Sequence, residues 1–304
     1  MLVDKLDTMK AFLTVSSEGS FTKAAEKLGT SNQLVSKYVS HLEAHLGVRL
    51  FNRTTRKVRL TEEGEQCAEH VQHILESIQD MEGGLGQFKH EAQGVLRINA
   101  PVSFATRHLA PLLRDFKGVN PAVGIDLQLN DRKIDVIEEG FDVALRIGQL
   151  KSSSLIAKRI APIRLVVCAS PDYLNRNGIP QHPDQLIPEH FLHYSYMEYN
   201  QPQLPLMNAL KRSIKEQRPS MSCNNGDILV EAAIGGEGYL LQPTFIVGEA
   251  VKQGKLTIIL DDYEPDLMGL YVVYPHRKLI ANKLSVFIDF ISDYYSELPY
   301  WDRF

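Results

Sequence analysis

The chain has 304 residues, of which 44% are hydrophobic and 23% charged, enough for two or three compact units of ordinary globular composition. No run of eighteen apolar residues occurs, so no membrane-spanning helix is predicted, and Cys67, Cys168 and Cys223 are too few and too scattered for a disulfide framework or a zinc site. The net charge of −4 hides an asymmetry: residues 1–60 carry ten Lys and Arg against five Asp and Glu, leaving 23 against 32 for the rest, so a polyanion is expected at the basic end.

The opening MLVDKLDTMKAFLTV carries Asp4 and Asp7 and lacks the basic start and cleavage site of a secretory signal, which leads to an expected cytoplasmic location. Leu6, Met9, Phe12 and Leu13 recur at helical spacing and predict a first helix from about Asp4 to Ser17, stopped by Gly19. Ser20 is placed to cap a second helix through Ala24, Ala25 and Leu28, followed by a turn at Gly29.

A third helix is expected from Ser31 to about His45, with Val35, Val39, Leu42 and Leu46 as its buried stripe and Gly47 closing it. At 100° per residue, Gln33, Ser36, Lys37 and Ser40 project to the opposite side, and Asn32 stands at the leading tip. Short polar groups let a helix approach a surface closely. Gln and Asn match the donor and acceptor pair on the major-groove edge of adenine, and Lys37 suits guanine or a phosphate. An exposed polar face without a ligand has the same pattern, so the next segment matters.

VRLFNRTTRKVRLTEEG predicts two short strands, about Val48 to Phe51 and Val58 to Leu60, joined by a turn holding Arg53, Thr54, Thr55, Arg56 and Lys57. A positive, hydroxylated tip suits backbone phosphates and a narrow minor groove. Three helices and a basic two-stranded wing make a winged helix-turn-helix.

Together GSFTKAAEKL, the Val35-Ser36 pair, LEAHLGVRLFNR and VRLTEEG closely resemble the DNA-binding domain of LysR-type transcriptional regulators over about fifty positions. That family's third helix usually starts Ser-Gln-Pro-Ala-Val-Ser-Arg, where this chain has Ser31-Asn32-Gln33-Leu34-Val35-Ser36-Lys37. The resemblance implies that Asn32, Gln33, Ser36 and Lys37 enter the major groove, with Arg53 on the backbone beside the wing.

From Thr61 a further helix begins, in which Cys67, Val71, Ile74, Ile78, Met81, Leu85 and Phe88 follow a heptad seam. Such a stripe can lie on the protein's own core or pair with another helix. In this position the resemblance implies a linker helix pairing two subunits, with Val71, Ile74, Ile78 and Met81 as contacts. Gly83, Gly84 and Gly86 predict a break near Gly83.

Beyond Gly94 strands alternate with helices: VLRINA, a helix through Leu109 to Phe116, GIDLQLN, IDVIEEG and DVALRIG, then RLVVCAS, MSCNN, DILVEAAIGG, LTIIL, GLYVVYP and a last helix from about Asn282 to Tyr294. This predicts a mostly parallel α/β arrangement. The weaker resemblance of LRINAPVSFATRHLAPLL, FDVALRIG, VVCASPDYL and EAAIGGEGY to the same family implies a two-lobed fold of the periplasmic-binding-protein kind (type II). The expected organisation is 1–60 winged helix-turn-helix, 61–90 linker helix and 93–304 effector-binding domain. Lobe I would be about 93–165 with 268–304, and lobe II about 166–267.

Ligands of α/β sheets collect at strand C-termini, where backbone N–H groups of following helices receive anions. Those positions are Pro101, Val102 and Ser103; Asn130 and Asp131; Ser170; and Asn224 and Asn225 to Asp227, with Arg146 as an added cation. Ser103, Ser170 and Asn225 fit plain helix caps equally well, and Arg146 fits an ion pair between lobes.

The combined expectation is a cytoplasmic transcription factor that binds double-stranded DNA and a small-molecule effector, with no metal, cofactor or catalytic site. The resemblance adds self-assembly as homodimer and homotetramer and contact with RNA polymerase. Two rivals are weighed. Cys168 and Cys223 near strand ends suit a redox sensor, although nothing adjacent favours a thiolate. An α/β enzyme is opposed by the absence of GxSxG, HExxH, P-loop and GxGxxG motifs.

Overall fold

The computed structural model describes residues 4–53, 58–85, 92–132, 135–149, 155–199, 201, 203–215, 219–275, 281–295 and 299–304. The chain divides into two compact units, Met1–His90 with Leu279–Asn282 and Glu91–Lys278 with Lys283–Phe304.

In the first unit α1 (Lys5–Glu18), α2 (Phe21–Lys27) and α3 (Asn32–Leu46) precede a hairpin of β1 (Phe51–Arg53) and β2 (Val58–Leu60), then α4 (Glu62–Leu85). Capping fixes the helices: Asp4, Ser20 and Ser31 each accept a hydrogen bond from a first-turn N–H, and Gly19 and Gly47 close α1 and α3 in the left-handed conformation. Met9, Phe12, Val15, Ala24, Ala25, Val35, Val39 and Leu42 form one core with Leu50 and Phe51. The Phe51 ring centroid lies 5.3 Å from that of Phe12 and 5.9 Å from that of Phe21.

Four expectations for this unit are corrected. Leu46, read as part of the buried stripe, is 45% exposed at the last residue of α3. The first wing strand runs Phe51–Arg53, not Val48 to Phe51, because Glu43 of α3 takes the Leu50 and Phe51 N–H groups on Oε1 at 2.9 and 3.3 Å. Those amides therefore serve the junction rather than a ladder. The helix α4 runs unbroken through Gly83 and Gly84 to Leu85, the last residue described there. Val71, read as a pairing residue, is only 2% exposed within this one chain, packed into the domain's own core, so a partner helix has nothing left to bury there.

The second unit holds two five-stranded sheets. The first lobe contains β3 (Gly94–Ala100), the helical turn α5 (Val102–Phe104), a π-helical turn Ala105–Leu109, α6 (Ala110–Val119), β4 (Val123–Leu129), β5 (Val143–Gly148) and β6 (Leu155–Ile163). The second lobe contains β7 (Leu165–Ala169), α7 (Pro171–Asn177), β8 (Phe191–Tyr194), α8 (Pro205–Lys215), β9 (Met221–Cys223), α9 (Gly226–Ile234), β10 (Tyr239–Pro243), α10 (Thr244–Lys252) and β11 (Thr257–Ile259). The chain then returns to the first lobe as β12 (Met268–Pro275) and α11 (Asn282–Tyr294), and a 3₁₀ turn Tyr300–Asp302 follows.

Strand orders are β4-β3-β5-β12-β6 and β11-β7-β10-β8-β9. The sheets are mixed, not mostly parallel: β5 with β12, β12 with β6, β10 with β7 and β11 with β7 run antiparallel, because the chain enters and leaves each lobe along its sheet. IDVIEEG supplies neither strand nor full helix. Its described part is a single turn in which Asp135 Oδ1 accepts from the Ile137 and Glu138 N–H groups. The two crossover segments are tied where they pass: Arg164 donates Nε and Nη2 to the two carboxylate oxygens of Glu264 at 2.8 and 2.7 Å.

Candidate functional site

Two regions carry the candidate residues. In the first, Val35, Val39 and Leu42 anchor α3, which turns Gln33, Lys37 and Ser40 into solvent with Ser36 half-buried beside them. His41 and Ala44 are exposed one turn further along, and the sequence reading did not single them out. Ser31 accepts from Leu34 N–H at 3.2 Å, so its side chain is a cap. Asn32 donates from Nδ2 to Thr22 Oγ1 at 3.2 Å, which ties the tip of α3 to α2 and leaves the amide oxygen for other partners. Thr54 and Arg56 lie outside the described residues, as do the side chains of Arg53 and Met81. On α4, Ile74 is 42% exposed and Ile78 half-buried.

In the second region, the end of β3 and the helical segment after it meet the second lobe. Val102 N–H donates to Asp131 Oδ1 at 2.9 Å. Ser103 Oγ–H donates to Asp227 Oδ2 at 2.6 Å, so it is not a cap but a contact between lobes. Arg107, which sequence reasoning missed, donates Nη2 and Nε to Asp227 Oδ1 at 2.6 and 3.1 Å. The pattern Ser103 and Arg107, one helical turn apart after a strand, was the available signal. Burial pushes the phenol of Tyr194, in the second lobe, up, and the Asp131 charge adds to this. Pro101 precedes the first turn in extended conformation.

Arg146 bonds Asn99 Oδ1 at 2.7 Å and the Leu145 carbonyl at 3.0 Å through Nη1, while its buried Nη2 has no partner among the described residues. Burial pulls its guanidinium down, with Glu139 opposing. Asn130 Oδ1 and Gln242 Nε2 are likewise buried without a partner among the described residues. Gln242 stands against Gly226 at the start of α9, where an added Cβ would meet its Oε1 at 3.1 Å. Ser170 and Asn225 accept from Tyr173 N–H at 3.3 Å and Ile228 N–H at 3.2 Å, so both work as helix caps; Asn224 is exposed.

Beside this contact a ring cluster joins the lobes. The centroid of Phe104 lies 5.4 Å from that of Phe245 and 5.8 Å from that of Trp301. His108 sits in the π-helical turn, closed by the bond from Ala110 N–H to the Ala105 carbonyl. Its Nε2 faces the Phe245 carbonyl at 2.9 Å and its Nδ1 the Tyr300 hydroxyl at 2.6 Å. A carbonyl only accepts, so Nε2 carries the proton and Nδ1 accepts from Tyr300. Burial lowers the pKa of His108, partly offset by the Phe245 bond.

Comparison with known proteins decides the family. Residues 6–65 match the model of the bacterial regulatory helix-turn-helix proteins of the lysR family, and residues 89–296 that of the LysR substrate binding domain. The chain belongs to the LysR-type transcriptional regulators. An HTH-type transcriptional regulator of Haemophilus influenzae is 36% identical over 287 residues, covering 93% of this chain and 98% of that protein. An HTH-type transcriptional repressor of Pseudomonas aeruginosa is 32% identical, covering 98% and 94%. The structure of CrgA, a LysR-type regulator from Neisseria meningitidis, matches with a TM-score of 0.58 at 30% identity, covering 96% of this chain and 99% of that one.

The protein is thus a DNA-binding LysR-type regulator with a winged helix-turn-helix and an effector-binding domain of two α/β lobes. No described helix is long and apolar enough to cross a membrane. Its geometry opposes the thiol-sensor rival. Cys168 lies on β7 and Cys223 on β9, three strand spacings apart in the order β7-β10-β8-β9. That is about 14 Å, twice what a disulfide spans. Cys168 is also fully buried, with its thiol pushed up to about 12 by burial.

Proposed function

We propose that the outer face of α3, centred on Gln33 and Lys37, reads base edges in the major groove, with Ser36, Ser40 and Asn32 allowing close approach. Arg53, Thr54 and Arg56 of the wing bind phosphates. The observation that supports this is the clean division of α3 into a buried Val35, Val39 and Leu42 side and a polar, exposed side on a helix capped at both ends. Exposed Ile74 and half-buried Ile78 of α4 form the pairing seam of a homodimer that assembles further to a tetramer and works with RNA polymerase in the cytoplasm. The space between the lobes, bordered by Ser103, Asn130, Arg146 and Gln242, takes a small-molecule effector that favours one quaternary arrangement over another. The domain senses the molecule without transforming it.

The test is selection of bound duplexes from a random library by the full-length protein, followed by mapping of the recovered motif onto a genome. A motif of two related half-sites about one helical turn or a multiple apart supports the reading. Recovery of unrelated sequences in proportion to their abundance contradicts it.

A further inference from the structure

The contact between the lobes has the make-up of a ligand site occupied from within. Asp227 stands on α9 of the second lobe, and both of its carboxylate oxygens are engaged by the first: Oδ2 by the Ser103 hydroxyl, Oδ1 by the Nε and Nη2 of Arg107. Three donors from one helical segment surround one carboxylate, and the π-helical turn begins between Ser103 and Arg107. We propose that Ser103 and Arg107 form a carboxylate-binding subsite, that Asp227 fills it while the lobes are together, and that the effector is a small monocarboxylate which takes the place of Asp227. The proposal rests on the reading of the interlobe space as the effector site.

Charge decides the ligand class. Beside Arg107 stands Asp227, and a second acid, Asp131, accepts from Val102 N–H at the start of the same helical segment. A dianion such as phosphate would meet more negative than positive charge there, whereas a monoanion only restores the balance that Asp227 provides. A cation would leave the Ser103 and Arg107 donors without an acceptor. Exchange is also accessible: the Arg107 and Asp227 side chains are 37% and 34% exposed, so their ion pair is screened and weak enough for a ligand to compete with it. Because Asp227 leaves with the second lobe, replacing it by a free carboxylate uncouples the lobes, and binding is thereby linked to their relative motion.

Chemical rescue in the full-length protein tests this, with acetate as the probe. The melting midpoint of Asp227→Ala is followed by Trp301 emission in sodium acetate and in sodium chloride at matched ionic strength. Acetate is expected to raise it by several degrees, saturably, with no such difference in the wild type or in the Arg107→Ala, Asp227→Ala double variant. Indistinguishable curves in the two salts for Asp227→Ala, or for Asp227→Asn should the alanine variant not fold, overturn the proposal. Failure of the effector-site reading has a separate signature: acetate raises the midpoint of the variant, supporting the subsite, but leaves its footprint on a selected duplex unchanged.

Discussion

Replacement of His108 by alanine probes the ring cluster that joins the lobes, and the structure gives its expected size. His108 is 7% exposed and makes two hydrogen bonds, of 2.6 Å to Tyr300 and 2.9 Å to the Phe245 carbonyl. The exposed Tyr300 hydroxyl can return to water, so its bond is worth about 1 kcal/mol, whereas a buried carbonyl left unpaired costs about 1–3 kcal/mol. The vacated ring volume beside Phe104 and Trp301, whose centroids lie 5.4 and 4.8 Å from that of His108, adds about 1–2 kcal/mol. The total is about 3–6 kcal/mol at pH about 8. Trp301 is the one tryptophan of the sequence and lies in the cluster, so urea unfolding followed by its emission reports on the second unit. The pH dependence gives the sharper test. Burial holds the folded-state pKa of His108 below its ordinary 6.5, so protons bind preferentially to the unfolded chain. The contribution of neutral His108 is therefore complete above about pH 6.5 and is lost as pH falls through the lower folded value, by at most about 1.4 kcal/mol per pH unit. The gap between wild type and His108→Ala should narrow on acidification, and other histidines whose pKa burial lowers, such as the half-buried His193, cancel in the difference. A gap that stays constant or widens would refute both the neutral tautomer and the bonding pattern built on it.

Val71→Ala is expected to lower the stability of the first unit by about 1–3 kcal/mol independently of protein concentration, read by thermal melts at two concentrations. Ile74→Asp should instead shift sedimentation toward monomer while leaving that melt within about 0.5 kcal/mol. Peroxide at neutral pH should leave Cys168 unmodified in mass spectra of the folded protein, since the thiol is buried and protonated; its oxidation would restore the thiol-sensor reading. Ser31→Ala should remove about 1 kcal/mol of α3 capping, measured by chemical denaturation, and weaken binding to all duplexes alike.

Local rules sufficed where a residue's neighbours in sequence decide its environment. The ends of α1 and α3 follow from Asp4, Ser31, Gly19 and Gly47, and the polar side of α3 from the spacing of Val35, Val39 and Leu42. Misreadings arose where a distant partner intervened. Val48, Arg49 and Leu50 look like strand residues, but the strand starts only at Phe51, and the Leu50 and Phe51 amides are bonded to Glu43, seven and eight positions earlier. Val71 keeps the heptad register, yet α1 lies against that part of α4, and periodicity alone cannot tell a neighbouring helix of the same chain from one of another chain. Parallel and antiparallel strands share one residue pattern, so the return of β12 between β5 and β6 is invisible until the topology is known. Of the expected effector residues, Ser170 and Asn225 prove to be caps, while Ser103 and Arg107 meet Asp227 across the lobes, 124 and 120 positions away in sequence.

The recognition role of α3 is tested most directly by titrating wild type and Gln33→Ala with a selected duplex and with random duplex across a range of salt concentrations. Loss of about 1–3 kcal/mol on the selected duplex, with random-duplex affinity and the salt slope unchanged, is the predicted result. Equal losses on both duplexes would mean that Gln33 touches no base edge, and the assignment of this face to the major groove would fall.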